Sequence, residues 1–426
     1  MKNRKGGNED SFGRKALEAF RKHKGVVRIM GKVQIKTLED LATYYTPGVS
    51  YPPLQIRKDK ALSYEYTGKG NRIAILSDGT RILGLGNIGP DAGMPVMEGK
   101  SLLFKKFGDI DALPLAINAG NMDEMVAFAK AIEPVIGGIN IEDVSSPNCF
   151  SLYDRLQSEL EVPVFHDDRQ GTGVVADAAL RNAMKLVKKE VKNAKIVING
   201  LGSAGVGTAE IILAAGCKNL LMCDTRGILY NGRKDNMNEI KQRLAEHTNP
   251  DGIKGQLYDA VKGADVLIGF SSPGAFKPNF IKAMADKPIV FALSNPVPEI
   301  EYQNAKEAGA RIAATGDSDV PNQVNNMLAF PGIFRGVLDV QARKINSAML
   351  LEASRALAHS VKPRTPEHII PNFVDDDIIP ITADIAAAVA AAAIRTGVAR
   401  KKVDPNKVRK DTKERLLRYS RIERSA

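Results

Sequence analysis

The chain has 426 residues, of which 44% are hydrophobic, so it is long enough for two domains with sizeable cores. Its three cysteines have no metal-binding or redox spacing, which argues against a cysteine-based centre and predicts small buried residues in a reducing cytoplasm. Because we find no long apolar run and no apolar leader, we expect neither a membrane span nor a signal peptide.

The net charge of +11 is concentrated at the two ends of the chain. Residues 1–36 contain 11 Lys/Arg and 3 Asp/Glu, and residues 400–426 contain 11 and 4, so the part between them is net negative. We interpret the basic ends as solvated helix faces. The sequence has no zinc knuckle, basic zipper or basic patch interleaved with aromatic residues, so we predict no specific nucleic-acid partner.

The first part of the chain predicts helices and then alternating strands and helices. Residues 10–45 have the pattern of helices with basic faces, and a turn follows at 45–49. From residue 70 to 160, β-branched runs alternate with helical segments, which is typical of an α/β domain. Strands are predicted at 72–76, 81–83, 112–117 and 138–142, and helices at 98–107, 122–131 and 148–159.

The string Gly-Leu-Gly-x-x-Gly occurs twice, and the copy at 200–205 has the context of a dinucleotide-binding loop. A buried strand at 195–199 precedes it, and a helix at 208–215 follows. The next predicted strand ends on Asp224, at the distance where a Rossmann domain places an acidic residue for the ribose. The complete strand, loop, helix and acid context makes this copy a strong signal.

The other copy, at 84–89, lacks that context. Pro90 and Pro95 follow it, and proline blocks helical propagation, so the sequence predicts no helix directly after this copy. We interpret it as a glycine-rich turn after the predicted strand 81–83.

The second part of the chain continues the α/β pattern. A helix is predicted at 173–190 and another at 383–399, and the acidic run at 375–377 is interpreted as a solvated loop. Further strands are predicted at 266–270, 289–293 and 311–314. The predicted fold is α/β, with an N-terminal α/β domain at 1–160, a Rossmann-like doubly wound parallel-sheet domain at 161–400, and a basic helical tail at 401–426.

Two acidic pairs fall at the ends of predicted strands. Glu142 and Asp143 end one strand, and Asp167 and Asp168 follow another. Either pair alone would be explained by helix capping, but both pairs beside a nucleotide domain favour a hard divalent cation such as Mg²⁺ or Mn²⁺. His166 lies inside an apolar strand and is predicted to be a packed, hydrogen-bonded side chain rather than a ligand.

A series of short strings carries a family resemblance. They are Tyr45-Thr-Pro-Gly-Val, Arg81-Ile-Leu-Gly-Leu-Gly-Asn-Ile-Gly, Pro95-Val-Met-Glu-Gly-Lys100, Ile141-Glu-Asp143, Phe165-His-Asp-Asp-Arg-Gln-Gly-Thr172, Gly200-Leu-Gly-Ser-Ala-Gly205, Ser294-Asn-Pro296 and Gln323-Val-Asn-Asn326. With these strings in this order, the chain resembles the malic enzymes of the short prokaryotic type from about residue 10 to 400.

The resemblance implies a role for each matching residue. Glu142, Asp143 and Asp168 would bind Mg²⁺ or Mn²⁺, Lys100 would be the general base, and Tyr45 the general acid. Arg81, Asn295 and Asn326 would bind L-malate, and Gly200, Gly202, Ser203, Ala204, Gly205, Asp224 and Asn295 would bind NAD or NADP. We expect burial and the nearby cation to lower the pKa of Lys100, and the turn at 84–89 to bring backbone close to malate and the nicotinamide.

The implied activity is oxidative decarboxylation of L-malate to pyruvate and CO₂. Two alternatives stay open: a malolactic conversion of malate to lactate with bound NAD, and a non-catalytic dinucleotide-binding protein with basic termini. Asp224 favours NAD, whereas Arg226 leaves NADP open as the cofactor. The resemblance also implies a homo-oligomer, normally a dimer or larger.

Overall fold

The computed structural model describes residues 5–373 and 377–425. It contains two β-sheets, with helices packed around and between them. The first part contains α1 (Lys5–His23), α2 (Leu38–Tyr44), α3 (Tyr51–Lys58), α4 (Ser63–Tyr66), β1 (Arg72–Ser77), α5 (Gly89–Gly108), β2 (Asp111–Ala116), α6 (Met122–Ile132), β3 (Ile139–Ile141), α7 (Asn148–Glu159) and β4 (Val164–His166).

The second part begins after a π-helical turn at Asp167–Gly171. It contains α8 (Thr172–Val187), β5 (Lys195–Asn199), α9 (Ser203–Ala214), β6 (Asn219–Asp224), β7 (Gly227–Ile228), α10 (Glu239–His247), α11 (Leu257–Val261), β8 (Val266–Gly269), α12 (Pro278–Lys282), β9 (Ile289–Ala292), α13 (Tyr302–Glu307), β10 (Ile312–Thr315), α14 (Phe330–Asp339), α15 (Ser347–Ser360), α16 (Ile378–Arg395) and α17 (Pro405–Ser425).

The first sheet has the order β2-β1-β3-β4, and all its strands are parallel. Residues 73–76 of β1 are fully buried, as expected for a central strand covered on both faces. Because the strands are parallel, the residues that follow β1, β3 and β4 emerge at the same edge of the sheet.

The second sheet has the order β10-β9-β8-β5-β6-β7, parallel except for β7. The chain order reverses beside β5, which lies between β6 and β8. This is the switch point at which doubly wound sheets bind dinucleotides. The predicted α/β fold with a Rossmann-like second sheet is confirmed.

Helices of the C-terminal part connect the two sheets. α16 packs against α14, α15 and α17, while α14 and α17 also contact α5 of the first part. α16 is long and apolar enough to span a membrane by composition alone, but 56% of that stretch is buried among these helices. Its apolar surface therefore belongs to the core. The three cysteines are free and buried, as predicted.

The predicted division at residue 160 differs from the division between the sheets. β4 pairs with β3, so the first sheet continues to His166. The predicted tail forms α17, which packs on α16 and α5. Of the acidic run 375–377, only Asp377 lies among the described residues, and its side chain accepts a hydrogen bond from the backbone N–H of Ile379 at the start of α16.

Two predictions around the first glycine-rich string are wrong. Residues 81–83 form a tight loop instead of a strand, because Leu83 has a φ of 47° and the chain reverses to pair Ile82 with Gly86. A helix, α5, does begin at Gly89. Pro90 occupies the first turn, where a backbone N–H is not needed, and the helix also accommodates Pro95 in its interior.

Candidate active site

Four carboxylates gather where β3 and β4 end. Glu142 and Asp143 follow β3, Asp167 and Asp168 follow β4, and the two strands are hydrogen-bonded neighbours. The backbone N–H of Asp143 donates to Oδ2 of Asp168 over 3.0 Å, which joins the two pairs directly. We call these four residues the carboxylate cluster. Three of them are buried, and only Asp168 is partly exposed.

Lys100 enters this cluster from the middle of α5. Its Nζ lies 2.5 Å from Oδ2 of Asp167 and 3.0 Å from Oε1 of Glu142, and its side chain is 10% exposed. The ammonium group also lies 4.4 Å from the ring centroid of Phe330. Asn326 donates from Nδ2 to the same Asp167 oxygen over 2.8 Å. The structure therefore brings two predicted site residues, Lys100 and Asn326, onto one carboxylate.

The carboxylates of the cluster determine the protonation of Lys100. Burial lowers the pKa of Lys100, but the charges of Asp167 and Glu142 outweigh it, so the pKa is raised. Burial, followed by the charge of Asp168, raises the pKa of Asp143 to about 7. Burial likewise raises the pKa of Glu142. The cluster thus holds more negative charge than one lysine neutralises.

These residues fit a divalent cation chemically. Oδ2 of Asp143 and Oδ1 of Asp167 are buried without a hydrogen-bond partner among the described residues. Carboxylate oxygens are the ligands that hard cations such as Mg²⁺ and Mn²⁺ prefer. Within residues 5–373 and 377–425, however, no three side chains are already arranged as a metal site. Glu142 pairs instead with Lys100 and with the side-chain amide of Asn140.

The turn after β1 wraps around Asp143. The backbone N–H of Arg81 donates to the carbonyl of Asp143 over 3.0 Å, and the N–H of Leu83 donates to its Oδ1 over 3.3 Å. The positive charge of Arg81 lowers the pKa of Asp143, although burial dominates the net shift. A Cβ on Gly84 would lie 3.1 Å from Cδ of Pro296, so the turn touches the loop after β9.

The loops after β8, β9 and β10 meet at the same side. The buried Glu299 accepts hydrogen bonds from the backbone N–H groups of Ser271 and Ser294, over 2.6 and 3.1 Å, which ties the first two loops together. A Cβ on Gly316, after β10, would lie within 2.7 Å of the Asn295 amide. Asn295 is therefore held between these loops, next to the glycine-rich turn at 84–89.

The dinucleotide loop, residues 200–205, has the close approaches that its glycines permit. Gly200 has a φ of 108°, and a Cβ there would lie 2.3 Å from the Phe270 carbonyl oxygen. A Cβ on Gly205 would collide with the Gly200 carbonyl oxygen at 1.8 Å. Nothing lies within 4 Å of a Cβ on Gly202, so this glycine faces open space. Ser203 and Ala204 begin α9, whose N-terminal N–H groups suit a pyrophosphate.

Asp224 ends β6, as predicted, but its oxygens already have five donors. Oδ1 accepts from the backbone N–H of Arg226 and from Nη1 of Arg233, while Oδ2 accepts from Nη2 of Arg233, Nζ of Lys241 and Nδ2 of Asn236. An ionised carboxylate has about four lone-pair sites. A ribose hydroxyl would therefore have to displace one of these donors.

Tyr45 forms no hydrogen bond with the carboxylate cluster among the described residues. It follows α2 and is 65% exposed, and its hydroxyl makes no hydrogen bond to any described residue. Its surroundings are a surface of exposed apolar side chains, which we call the N-terminal surface: Ile29, Met30, Val33, Ile35, Leu38, Leu41, Tyr44, Tyr45, Val49, Tyr51 and Leu54.

Some features of the site were not predicted. The sequence identifies Asp167 only as a member of an acidic pair, yet it is the residue that contacts both Lys100 and Asn326. His166 is fully buried, as predicted, but neither ring nitrogen has a hydrogen-bond partner among the described residues, so the expected hydrogen bonding is wrong. Burial lowers the pKa of His166 to about 4, which keeps the ring neutral.

A lysine among carboxylates beside a Rossmann-type dinucleotide loop defines the class of dinucleotide-dependent oxidoreductases. Residues 169–394 match the family model "Malic enzyme, NAD binding domain", and residues 23–122 match "Malic enzyme, N-terminal domain". The chain therefore belongs to the malic enzyme family, and it is an NAD(P)-dependent malic enzyme.

Relatives and a solved structure are similar over most of their lengths. The chain is 45% identical to a bifunctional malic/malolactic enzyme of Bacillus subtilis, covering 95% of this chain and 98% of that one. It is 46% identical to an NAD-dependent malic enzyme of Geobacillus stearothermophilus, covering 88% and 78%. The crystal structure of malic enzyme from Pyrococcus horikoshii has a TM-score of 0.90 at 45% identity, covering 93% of both chains.

Proposed function

We propose that the protein catalyses the divalent-metal-dependent oxidative decarboxylation of L-malate to pyruvate and CO₂, with reduction of NAD or NADP. The observation that carries this proposal is the position of Lys100 between Asp167 and Glu142, at the sheet edge that also faces the dinucleotide side of the molecule. The names of the Bacillus and Geobacillus relatives support the same reaction.

We assign the first proton transfer to Lys100. Its Nζ would take the proton of the malate C2 hydroxyl as hydride leaves C2 for the nicotinamide. A cation held by Glu142, Asp143 and Asp168 would supply positive charge to the substrate oxygens during oxidation and loss of CO₂. Such a cation would offset the charges of Glu142 and Asp168 and so weaken the attraction that raises the pKa of Lys100, which would make its amine a better base, with Asp167 still positioning it.

Three polar side chains would bind the substrate carboxylates. Arg81 extends from the turn that wraps Asp143, and its guanidinium offers paired donors to a carboxylate. Asn326 already contacts the cluster through Asp167, and Asn295 lies across the site in the loop after β9. These residues would orient malate with C2 near Lys100 and the nicotinamide.

The general acid, Tyr45, requires a second copy of the chain in our proposal. The segment that carries it is bound to Glu98 of α5, whose Oε2 accepts from the backbone N–H of Val26 over 2.8 Å, and is held, further along the chain, by the pair Lys32–Asp111, at 3.2 Å. Asp111 begins β2, so this anchor lies at the sheet edge opposite the carboxylates, about 17–20 Å away for strands of six residues.

The N-terminal surface supports the same dimer. Ile29 is 96% exposed and Leu38 85% exposed, and none of α2, α3 or α4 contains a buried residue. Isolated exposed apolar residues are ordinary, but a contiguous segment of them marks an interaction site. We propose that a second copy covers this surface in an arrangement that places Tyr45 of one chain at the carboxylate cluster of the other.

The surroundings of Asp224 favour NADP as a substrate. Arg233 and Lys241 occupy its oxygens, and Arg226 is an exposed cation whose one ion pair among the described residues is with the exposed Asp235, over 3.4 Å. Three cations therefore stand beside two carboxylates at the end of β6. A ribose 2′-phosphate would meet net positive charge there, and Arg226 could exchange Asp235 for it.

The test is turnover of the purified protein with L-malate and Mn²⁺, with NAD or NADP supplied separately. The expected products are pyruvate and reduced cofactor in equal amounts. Lactate without net reduced cofactor would favour the malolactic alternative, which the Bacillus relative's name makes a specific candidate. No turnover with either cofactor would overturn the enzyme proposal in favour of a non-catalytic dinucleotide-binding protein. We further propose a cytoplasmic location, consistent with three free thiols.

A further inference from the structure

Arg169 joins the carboxylate cluster to the helix of the dinucleotide loop. It is the residue after Asp168, in the π-helical turn, and its side chain is 7% exposed. Its Nε and Nη2 donate to Oε2 and Oε1 of Glu210, over 2.8 and 2.5 Å. Glu210 lies on α9, the helix that begins at the dinucleotide loop.

The guanidinium is fixed from a third direction as well. It lies 5.3 Å from the ring centroids of both Phe150 and Tyr153 on α7. A planar guanidinium suits this arrangement, because it stacks on aromatic rings while its edge binds a carboxylate with two parallel hydrogen bonds. A lysine ammonium at the same place would keep the charge but lose the paired geometry.

The backbones of the two segments also touch. A Cβ on Gly207 of α9 would lie 1.9 Å from the carbonyl oxygen of Arg169, so only glycine fits at this contact. Helices α7 and α9 also meet at their N-termini, where Sγ of Cys149 on α7 lies 3.3 Å from Oγ of Ser203 on α9. The π-helical turn at Asp167–Gly171, α7 and α9 therefore pack against one another, and Arg169 contacts both helices.

We propose that Arg169 is a positioning residue that couples cation binding at the carboxylates to dinucleotide binding on α9. A cation drawn in by Asp168 fixes the turn that carries Arg169, and the pair with Glu210 fixes α9 and the loop it begins. By linkage, each ligand then binds more tightly in the presence of the other, by the same factor. This inference rests on the proposed function, because it requires that both ligands bind.

The test measures that factor by binding rather than by turnover. Dissociation constants for NADPH are measured by fluorescence with and without Mn²⁺, and those for Mn²⁺ by electron paramagnetic resonance with and without NADPH. In the unchanged protein, each ligand should tighten the other by about fivefold or more. In Arg169→Lys and in Glu210→Gln, the factor should fall towards one, while the dissociation constant of each ligand alone changes by less than about threefold.

Arg243 provides the matched control. Its Nη2 lies 3.3 Å from the same Oε1 of Glu210, but the side chain is 49% exposed and belongs to α10. Arg243→Gln should therefore leave the coupling factor unchanged. If Arg169→Lys folds poorly, Glu210→Gln still tests the coupling, because it changes only Glu210, the partly exposed member of the pair.

Three outcomes would overturn the inference: independent binding in the unchanged protein, full coupling in Glu210→Gln, or an equal loss of coupling in Arg243→Gln. Failure of the proposed function would look different. In that case the unchanged protein would bind no Mn²⁺ or no dinucleotide, or would not turn over malate. A protein that oxidises malate but binds the two ligands independently contradicts only the role of Arg169.

Discussion

Nζ of Lys100 lies 2.5 Å from Oδ2 of Asp167, although 67 residues separate them in the chain. The Asp167 charge helps to raise the pKa of Lys100 against the effect of burial. We therefore expect Asp167→Asn to lower that pKa, so that the rising limb of the kcat/KM profile moves to lower pH. We also expect kcat to fall by about tenfold or more, since the amine loses its positioning partner.

The measurement is kcat/KM for malate between pH 5 and 9, at saturating Mn²⁺. Asp177→Asn serves as the control, because Asp177 is also buried and paired, but with Arg181 and Ser354 in a different part of the fold. The control should leave the pH of the rising limb unchanged, whatever its effect on stability. An unmoved limb in Asp167→Asn would contradict the electrostatic role.

Lys100→Ala should abolish malate oxidation while dinucleotide binding survives. Removing a general base costs a factor of about 10²–10⁴, whereas no dinucleotide-loop residue contacts Lys100 in the described structure. Activity and NADPH fluorescence titration check the two halves of this prediction. Lys106→Ala is the matched control on the same helix, since Lys106 pairs at the surface with Glu423. Loss of dinucleotide binding in Lys100→Ala would mean that the lysine acts in folding instead.

Asp143 should make stability depend on pH and on the cation. Burial first, and then Asp168, raise its folded pKa to about 7, above the unfolded value of 3.8. Its stabilising contribution is therefore fully present below pH 3.8 and is lost as pH rises to 7. In metal-free buffer, Asp143→Asn should be more stable than the unchanged protein at pH 8, by a few kcal/mol at most, and similar near pH 4.

Thermal unfolding with EDTA and then with Mn²⁺ checks this prediction. Mn²⁺ should raise the melting temperature of the unchanged protein at pH 8 and have a much smaller effect on Asp143→Asn, because the cation replaces the proton on the carboxylate. An equal Mn²⁺ effect on both proteins would remove Asp143 from the ligand set.

Arg226 should discriminate between the two dinucleotides. Arg226→Gln should lower kcat/KM with NADP by about tenfold, the effect of one charge-assisted hydrogen bond, and change that with NAD by less than about threefold. Lys234→Gln removes one positive charge from an exposed neighbouring position, so it controls for the loss of charge alone. Equal losses with both cofactors would show that Arg226 does not meet a 2′-phosphate.

The strands and helices were largely predictable because their signals are local. β5 and α7 have the predicted bounds to the residue, and β6 ends at Asp224 as predicted, since the residues that favour and end each element lie within or beside it. Pro95 shows the limit of that reasoning. Proline disfavours a helix interior, but α5 packs against β2 and α14, and these tertiary contacts outweigh the local preference.

The meeting of the two acidic pairs was predictable, but the contacts of their side chains were not. The order of strands in a sheet places residues 142–143 and 167–168 together, and parallel topology predicts their meeting. Which side chain pairs with which depends on distant elements. Asp224 was expected to be free for a ribose, and nothing near it in the sequence indicates that Lys241 of α10 returns to its carboxylate. The charges that raise the pKa of Lys100 likewise come from elements distant in the sequence, at Asp167 and Glu142.

Subunit complementation should decide where Tyr45 acts. Tyr45→Phe and Lys100→Ala are each expected to be nearly inactive. If Tyr45 serves the partner's site, a hybrid dimer has one site with both an intact lysine and an intact tyrosine. Random exchange of equal amounts makes half of the dimers hybrid, so co-expression should restore about a quarter of full activity. If Tyr45 serves its own chain, every site lacks one residue and no activity is restored.

Co-expression of Lys100→Ala with Glu142→Gln is the control. Both residues lie in the same cluster, so that mixture should stay inactive whichever chain supplies the tyrosine.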